Sequence, residues 1–362
     1  MFSFEQSFAI LGDPRLADRL ERVSYNALPG TLSSDMWSHQ YDQQPNQIAC
    51  TRAHRQWSTN GNDSNLFGLA PNFGCCTANL HQGWPKLVQS LWMETASRGL
   101  VTGVYAPNTL NTEVSGASVR IDENTDYPFR GAVQLEVHPT HDVRFAMLLR
   151  VPDWTQSVEV KVNGTPINVP QPDCRVGPDE SESDRHACDF ERSFVHLDRT
   201  WKDGDRIDVQ FSTTPRVTRW FDSAAVFESG PLVFSLPLRD DWSKLKQYGE
   251  KSADWQIVPT TDWNYGVELG DCNAVVADHP THAVPFDTDA PPVTLAVEAR
   301  KLPGWGKQEN SAAPPPQSPV ESTEPSRRLT LIPYGAAKLR ITEFPVLNDK
   351  SSCGTAGAAH AR

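Results

Sequence analysis

Helical hydrophobic patterns dominate the first quarter of the chain. Apolar residues within Phe4–Leu11, followed by Gly12-Asp13-Pro14, predict an amphipathic helix with a defined C-terminal stop. A second helical pattern begins at Pro14 and is ended by Pro29-Gly30. Residues 31–73 are rich in Asn, Gln, Ser and His, with few periodic apolar positions. This composition predicts a long ordered or semi-ordered loop, and loops of that length are usually functional or disordered.

The hydrophobic period changes from helical to alternating near residue 99. A third helical pattern spans Cys76–Ala96, and Pro85 within it predicts a kink or a restart. Beyond Gly99, segments such as AVQLEV, RFAMLLRV and RIDVQF alternate apolar and polar residues, which is typical of half-buried strands. Asn163-Gly164 directly after Val158–Val162 predicts a tight hairpin, because type I′ turns need positive φ at both central positions.

These patterns predict an α+β multidomain protein. Its length of 362 residues exceeds the roughly 100–200 residues of one ordinary domain. The predicted regions are a helical part at 1–97, a β-sandwich at 98–225, a second β-rich region at 226–348 with a Pro-rich strap at 308–328, and a disordered tail at 349–362. The acidic stretch 170–192, which contains Cys174 and Cys188, is interpreted as a loop insertion.

Composition and charge exclude some classes of partner. A formal net charge of -12 argues against binding to a phosphate backbone, which needs clustered Lys and Arg. No stretch approaches the roughly 18 apolar residues of a membrane span, and no export signal is visible at the N-terminus. The seven cysteines form no small-domain disulfide framework, so a reducing cytoplasmic location is expected. The sequence implies no oligomeric state.

The adjacent cysteines Cys75 and Cys76 are the main chemical feature of the sequence. They lie at the start of a predicted helix, where unpaired N–H groups favour a thiolate. Two neighbouring thiolates can reach one Zn²⁺, although a tetrahedral site requires further Cys, His or carboxylate ligands. The alternative interpretation is that both are small buried residues, as free cysteines often are. The spacing alone does not decide between these interpretations.

The segment PNFGCCTANLHQGWPKLVQSLWM resembles the region around the cysteine pair of glycoside hydrolase family 127, the β-L-arabinofuranosidase-like family. The similarity extends to SFAILGDPRLADRLERVSYNALPGTLSSDMWSHQYDQQPNQ and to the later segments LLRVPDW, VKVNG and LIPYGAAKLRITEFPV. It covers nearly the whole chain. The resemblance implies that residues 1–97 are the C-terminal remnant of an (α/α)6 barrel and that antiparallel β-sandwich domains follow it. Function follows only by analogy.

The resemblance also implies a retaining hydrolase that acts on arabinofuranose-containing glycans. In the family a glutamate and three cysteines hold a zinc ion, and one zinc-bound thiolate attacks the anomeric carbon. Cys75 matches this nucleophile and Cys76 its neighbouring ligand. The remaining ligands, a Glu-x-Cys segment, and the acid/base glutamate are expected upstream of Met1. Without an acid the leaving group loses about 10²–10⁴-fold assistance, so the chain as it stands is expected to be inactive.

Other polar and aromatic residues are weaker candidates. His39, Tyr41 and Gln44 lie in a strand-like stretch and are candidates for substrate contact, although a polar strand face is an equal alternative. His81 and Trp84 lie one helical turn apart beyond Cys76, where they would support the metal site or stack on a sugar, with packing favoured for Trp84. The remaining acidic candidates, Glu123 and Asp126, are interpreted as turn residues.

Two alternative functions remain open at the level of sequence. The first is a noncatalytic carbohydrate-binding protein of β-sandwich modules, which would use exposed aromatics such as Trp154, Trp220 or Trp242 and no metal. The second is a redox or zinc-storage role for the cysteine pair alone. Stoichiometric zinc distinguishes the enzyme from the binding module.

Overall fold

The chain folds into two compact units. Each unit is built from three segments that alternate along the sequence with those of the other unit. The computed structural model describes residues 1–69, 73–169, 193–269 and 275–348. Unit 1 comprises Met1–Pro29, Gly74–Arg216 and Glu228–Leu232, and unit 2 comprises Gly30–Phe73, Val217–Phe227 and Val233–Arg362. The predicted insertion with Cys174 and Cys188, and the predicted tail, lie outside the described residues. Strands make up most of the regular secondary structure in the described chain, and helices are few.

Short helices occupy the N-terminal part of unit 1. They are α1 (Phe2–Leu11), α2 (Pro14–Arg22), a π-helical turn (Val23–Ala27), α3 (Leu28–Gly30), α4 (Gly74–Asn79), a 3₁₀ turn (Leu80–Gln82) and α5 (Gly83–Gln89). Gly12 caps α1 with φ 66°, and the Asp13 side chain accepts the Arg15 N–H at the start of α2. The predicted helix boundary is therefore confirmed. Among the described residues, no helix is both long and apolar enough to cross a membrane.

The helix predicted over Cys76–Ala96 is wrong in its second half. Helical structure ends at Gln89, and Trp92–Glu94 forms a short strand, β1. This strand pairs antiparallel with Leu100–Thr102, so sheet formation overrides the local helical period. Pro85 lies inside α5, in its first turn, where a missing N–H costs no internal helix hydrogen bond. It restarts the helix after the 3₁₀ turn rather than kinking it.

In the part of unit 1 that the structure describes, ten strands form two sheets. After β1 they are β2 (Leu100–Thr102), β3 (Asn108–Val114), β4 (Ala117–Thr125), β5 (Ala132–Pro139), β6 (Val143–Arg150), β7 (Val158–Val162), β8 (Thr165–Ile167), β9 (Phe194–Trp201) and β10 (Asp205–Phe211). One sheet has the order β1-β2-β6-β9, and the other β3-β4-β5-β10-β7-β8. Only the β2–β6 pair is parallel within these two sheets. Buried and exposed positions alternate along the strands, so each sheet has one apolar side, as in a β-sandwich.

The predicted Asn163-Gly164 hairpin is confirmed. These two residues connect β7 to β8 with φ values of 50° and 78°. Positive φ at both positions is the type I′ requirement, which Asn and Gly meet at low steric cost. The Asn163 amide also donates to the Asp205 carboxylate at 2.7 Å, and this contact fastens the turn to β10.

Unit 2 is built around an eight-stranded sheet. Its elements are β11 (Arg216–Arg219), a 3₁₀ turn (Phe221–Ser223), β12 (Ala225–Ser229), β13 (Leu232–Pro237), β14 (Asp240–Tyr248), β15 (Ser252–Pro259), β16 (Tyr265–Val267), β17 (Val275–Asp278), β18 (Val293–Lys301), β19 (Lys307–Gln308), β20 (Ser311–Ala312), β21 (Arg327–Pro333) and β22 (Arg340–Ile341). The main path is β11-β12-β13-β21-β18-β16, while β17 pairs with β18 and β22 with β13. The pairs β14–β15 and β19–β20 form separate two-stranded sheets.

The Pro-rich region predicted at 308–328 is a strap fixed against unit 2. The Trp305 indole donates to the Ala313 carbonyl at 2.9 Å, and the Val320 N–H donates to the Val346 carbonyl at 2.8 Å. Trp305 itself is fully buried. These hydrogen bonds hold the segment at Ala313 and Val320, as expected for a surface strap.

The polar loop predicted at 31–73 is ordered in its described part by buried amides. Gln47 donates to the Gln40 side-chain oxygen at 3.0 Å, and Gln40 donates to the Asn65 carbonyl at 2.8 Å. Cys50 lies in the same cluster, and burial raises the pKa of its thiol to about 12. The Cys50 backbone pairs with Ile257 of β15. Buried amides that satisfy one another replace the apolar periodicity that the sequence lacks here.

A buried ion cluster joins α2 to β6 in unit 1. Arg150, at the end of β6, is fully buried and contacts the Asp18 carboxylate and, at 2.5 Å, that of Glu21. Its Nε donates to the Gly103 carbonyl at 2.6 Å. Glu21 also accepts the Trp154 indole N–H at 2.8 Å. Trp154 is only 7% exposed, so it is a core residue and not the sugar platform considered from the sequence.

Glu123 is a core carboxyl and not the turn residue predicted from the sequence. It lies within β4, and its oxygens accept the Asn108 amide at 2.7 Å and the Ala106 N–H at 3.1 Å. Burial raises the pKa of Glu123 to about 8, although these two hydrogen bonds lower it. Asp126 does lie at a turn, where its carbonyl accepts the Phe129 N–H at 2.9 Å.

Arg150→Met should lower the free energy of unfolding by about 3–5 kcal/mol, because two buried carboxylates lose their cation. Arg144→Ala is the matched control on the same strand, since the Arg144–Asp198 pair is 70% and 57% exposed. The control should lose much less stability, because solvent screens an exposed ion pair. Urea unfolding of both variants measures the difference. Equal losses in the two variants would show that the buried cluster contributes no more than a surface ion pair.

Glu123→Gln should remove part of the pH dependence of stability. Because the folded-state pKa lies near 8 and the ordinary value is 4.5, the folded protein binds the extra proton between these values. The contribution of this group is fully present below pH 4.5 and is lost as pH rises through 8. The variant should therefore gain stability relative to the parent, by a few kcal/mol at most, between pH 5 and about 9. Glu113→Gln on β3, an exposed position, is the control and should leave the profile unchanged.

Candidate active site

Cys75 and Cys76 lie together on the surface of unit 1. They occupy the first turn of α4, where Cys75 is exposed and Cys76 is half-buried. Their Sγ atoms are 3.7 Å apart. The Asn79 amide donates to the Cys75 carbonyl at 2.7 Å, and Gln82 donates to the Asn79 side chain at 3.0 Å. The interpretation of both cysteines as interior residues is therefore wrong for Cys75.

The distance between the two sulfur atoms suits a shared metal ion. Zn–S bonds of about 2.3 Å at a tetrahedral angle place two sulfur ligands about 3.8 Å apart. A disulfide would need about 2.05 Å. The two sulfur atoms are therefore not joined in a disulfide, and they lie at the spacing of one edge of a zinc tetrahedron.

The described residues complete only half of such a site. Within 1–69, 73–169, 193–269 and 275–348, no group of three or more His, Cys, Asp or Glu is arranged to hold a metal ion. The two thiols therefore match two of the four ligands of a structural or catalytic zinc, and the donor set does not fit a closed site.

His81 and Trp84 follow the cysteine pair in unit 1. His81 lies exposed in the 3₁₀ turn, and Trp84 is half-buried in the first turn of α5. Partial burial agrees with a packing role for Trp84, although a half-exposed indole also presents a face to ligands.

His39, Tyr41 and Gln44 belong to unit 2 and are described within it. The His39 backbone pairs with Gly68 through hydrogen bonds of 2.8 and 2.9 Å, and burial lowers the pKa of its imidazole, which is therefore neutral at pH 7. The exposed ring of Tyr41 stacks on Phe73 with centroids 4.1 Å apart. The carbonyl of Gln44 accepts from Arg340 at 3.0 Å. Burial of His39 leaves Tyr41 as the more accessible of these side chains.

A hydrogen-bonded group on the six-stranded sheet of unit 1 was not predicted from the sequence. Arg206 contacts Asp208 at 2.7 Å, and both side chains lie on the solvent side of β10 beside Gln134 of β5. The available signal was the row of polar residues at alternate positions of β5, β7 and β10. Alternation alone indicates a solvated sheet face, so it marks no binding site.

Part of unit 1 is similar to a known protein domain. Residues 99–213 match the family model described as the middle domain of GH127 beta-L-arabinofuranosidases. The matched range begins directly before β2 and ends directly after β10, so it contains the complete six-stranded sheet of unit 1. The resemblance to glycoside hydrolase family 127 is confirmed. No curated protein matches the chain in sequence.

Three solved structures are similar to this chain in fold. A GH127 beta-L-arabinofuranosidase from Geobacillus stearothermophilus T6 matches 96% of this chain and 48% of its own, with a TM-score of 0.65 and 19% identity. A structure described as a glycoside hydrolase matches 94% and 50%, with a TM-score of 0.64 and 17% identity. A GH127 beta-arabinofuranosidase matches 95% and 47%, with a TM-score of 0.61 and 17% identity. The chain therefore spans about half the length of these proteins.

The native protein should react with a maleimide at Cys75 and not at Cys50. Cys75 is exposed, whereas Cys50 is fully buried with a thiol pKa of about 12. Reactivity requires an accessible thiolate. Peptide mapping by mass spectrometry after brief labelling, with and without denaturant, measures both sites. Labelling of Cys50 at the rate of Cys75 in native protein would contradict the order described for residues 31–69.

Proposed function

We propose that this chain supplies the thiol half of a glycosidase site that acts on β-L-arabinofuranosides. Cys75 is the nucleophile and Cys76 is the neighbouring zinc ligand. The observation that carries the proposal is the exposed Cys75 sulfur 3.7 Å from that of Cys76, in a chain with a GH127 middle domain. Helices α1, α2, α4 and α5 are, in this proposal, the remnant of an (α/α)6 barrel.

The proposed reaction proceeds by two displacements at the anomeric carbon. The Cys75 thiolate forms a bond to that carbon while the bond to the glycosidic oxygen breaks and this oxygen leaves with a proton from an acid group. Water then displaces the sulfur and returns a proton to the acid group, which restores the thiolate and the acid and retains the anomeric configuration. The reducing cytoplasm, in which exposed thiols persist, is the compartment that this chemistry requires.

The proposal includes an incomplete site. Two thiols match two of four zinc ligands, and the acid group is not assigned to any described residue. We therefore expect the chain alone to hold zinc weakly and to lack glycosidase activity. The proposed substrate contacts, His39, Tyr41, Gln44, His81 and Trp84, stay predictions.

Zinc titration of the purified chain against a chromophoric chelator tests the ligand assignment. The parent should bind zinc through the pair, and Cys75→Ala and Cys76→Ala should each reduce this binding to background. Cys50→Ala is the matched control, because Cys50 is buried in unit 2, and it should bind zinc as the parent does. Thermal unfolding confirms that each variant is folded.

Hydrolysis of an aryl β-L-arabinofuranoside, measured on the same proteins, tests the incomplete site. No hydrolysis by the parent is expected. Hydrolysis by the parent that is lost in Cys75→Ala would support Cys75 as the nucleophile. It would also overturn the expectation that the site is incomplete. Zinc binding that both cysteine variants retain would overturn the ligand assignment.

A further inference from the structure

The solvent side of the six-stranded sheet in unit 1 contains a hollow of about 760 Å³. Its walls and floor come from β4, β5, β10 and β7, together with the turn that follows β4. All of these elements lie in the GH127 middle domain and not on the cysteine-bearing helices. Four adjacent strands at about 4.8 Å spacing make this hollow roughly 14 Å wide, which is longer than a single sugar ring.

Strand register aligns hydrogen-bonding side chains into a row across the hollow. Asn124 lies opposite Gln134, Gln134 opposite Asp208, and Asp208 opposite Lys161. A second row is formed by Ala132, Gln210 and Glu159. Side chains in register on one sheet face are close enough to contact one ligand together. The side chain of Ala132 is small and leaves space for a ligand in the second row. We call the two rows and the hollow that they line the groove.

The central side chains of the first row hold one another in place. The Arg206 Nε donates to Asp208 at 2.8 Å, and its Nη2 lies 2.7 Å from the same carboxylate oxygen. With its amide oxygen turned toward Arg206, Gln134 accepts from Nη2 at 2.6 Å. A guanidinium fixed by two partners loses less side-chain freedom on binding and keeps further N–H donors for a ligand.

Charge in the hollow is balanced between the two signs. The acidic residues lining it are Asp126, Glu159 and Asp208, and the basic ones are Arg130, Lys161 and Arg206. Balanced charge disfavours a polyanion. Sugar hydroxyls donate and accept at once, so they match a surface where carboxylates, amides and cations alternate.

We infer that this groove binds a neutral oligosaccharide, as an accessory site separate from the Cys75 chemistry. The solvated side of an antiparallel sheet is ordinarily polar. What distinguishes this face is the volume of the hollow, the two aligned rows and the Arg206 guanidinium held by Asp208 and Gln134. The inference does not rest on the proposed function, because no residue of the groove takes part in the proposed reaction.

Isothermal titration of the full chain with neutral arabino-oligosaccharides of increasing length tests the groove, with oligogalacturonates as acidic probes. Binding should strengthen with neutral chain length, and Arg206→Ala should weaken it about tenfold or more, the effect of one lost hydrogen bond to a charged group. Arg144→Ala is the matched control, because Arg144 pairs with an aspartate on the other sheet of the same unit. It should bind as the parent does.

The same titration in a Cys75→Ser background separates the groove from the candidate active site. Binding that is unchanged by Cys75→Ser and lost in Arg206→Ala supports the groove. Binding that is lost in Cys75→Ser and kept in Arg206→Ala would assign it to the cysteine site and overturn the inference. Preference for the acidic probes, or no binding of neutral chains at millimolar concentration, would also overturn it.

Discussion

The fold of unit 1 depends on a fully buried arginine that is neutralised by two carboxylates from one helix. Asp18 and Glu21 are one turn apart on α2, and both contact Arg150 at the end of β6. Removing a guanidinium from water costs several kcal/mol, and only close carboxylates with satisfied lone pairs offset that cost. The Trp154 indole and the Tyr127 hydroxyl also donate hydrogen bonds to the Glu21 carboxylate. A shifted α2 would leave a buried charge unpaired, so the cluster specifies how the helix and the sheet meet.

A second buried ion cluster also fixes the position of α2. Arg22 and Arg216 both contact Glu228, which is only 1% exposed on its side chain, at 2.6 and 2.5 Å. Burial opposes the charge of Glu228, but the two cations outweigh it and lower its pKa to about 2. Three charged residues of this helix, Asp18, Glu21 and Arg22, therefore each have a partner that is distant in the sequence. In the sequence they are indistinguishable from the solvated face of an amphipathic helix.

Local signals in the sequence predicted the elements whose formation is itself local. The Gly12-Asp13-Pro14 boundary and the Asn163-Gly164 hairpin depend on φ preferences and caps within a few residues, and both are confirmed. Trp92–Glu94 and Glu123 were misinterpreted because their states depend on pairing and burial in the sheets and not on local preferences. The strand β14 escaped prediction for a related reason: most of its side chains are exposed, so it shows no alternation, and it is defined by pairing with β15.

The residues of the candidate site could be predicted from the sequence, but the geometry of the site could not. Resemblance identified Cys75 and Cys76, while the sulfur spacing and the exposure of Cys75 required the structure. Neither α4 nor the 3₁₀ turn after it buries any side chain, and α5 buries only Leu87. A segment with so few buried contacts has little intrinsic stability of its own. Ligands that bind the two thiols would therefore also order the segment, because coordination energy adds directly to folding energy. The sheet groove, in contrast, is built on strands whose alternate residues form the core, and its geometry needs no ligand to be maintained.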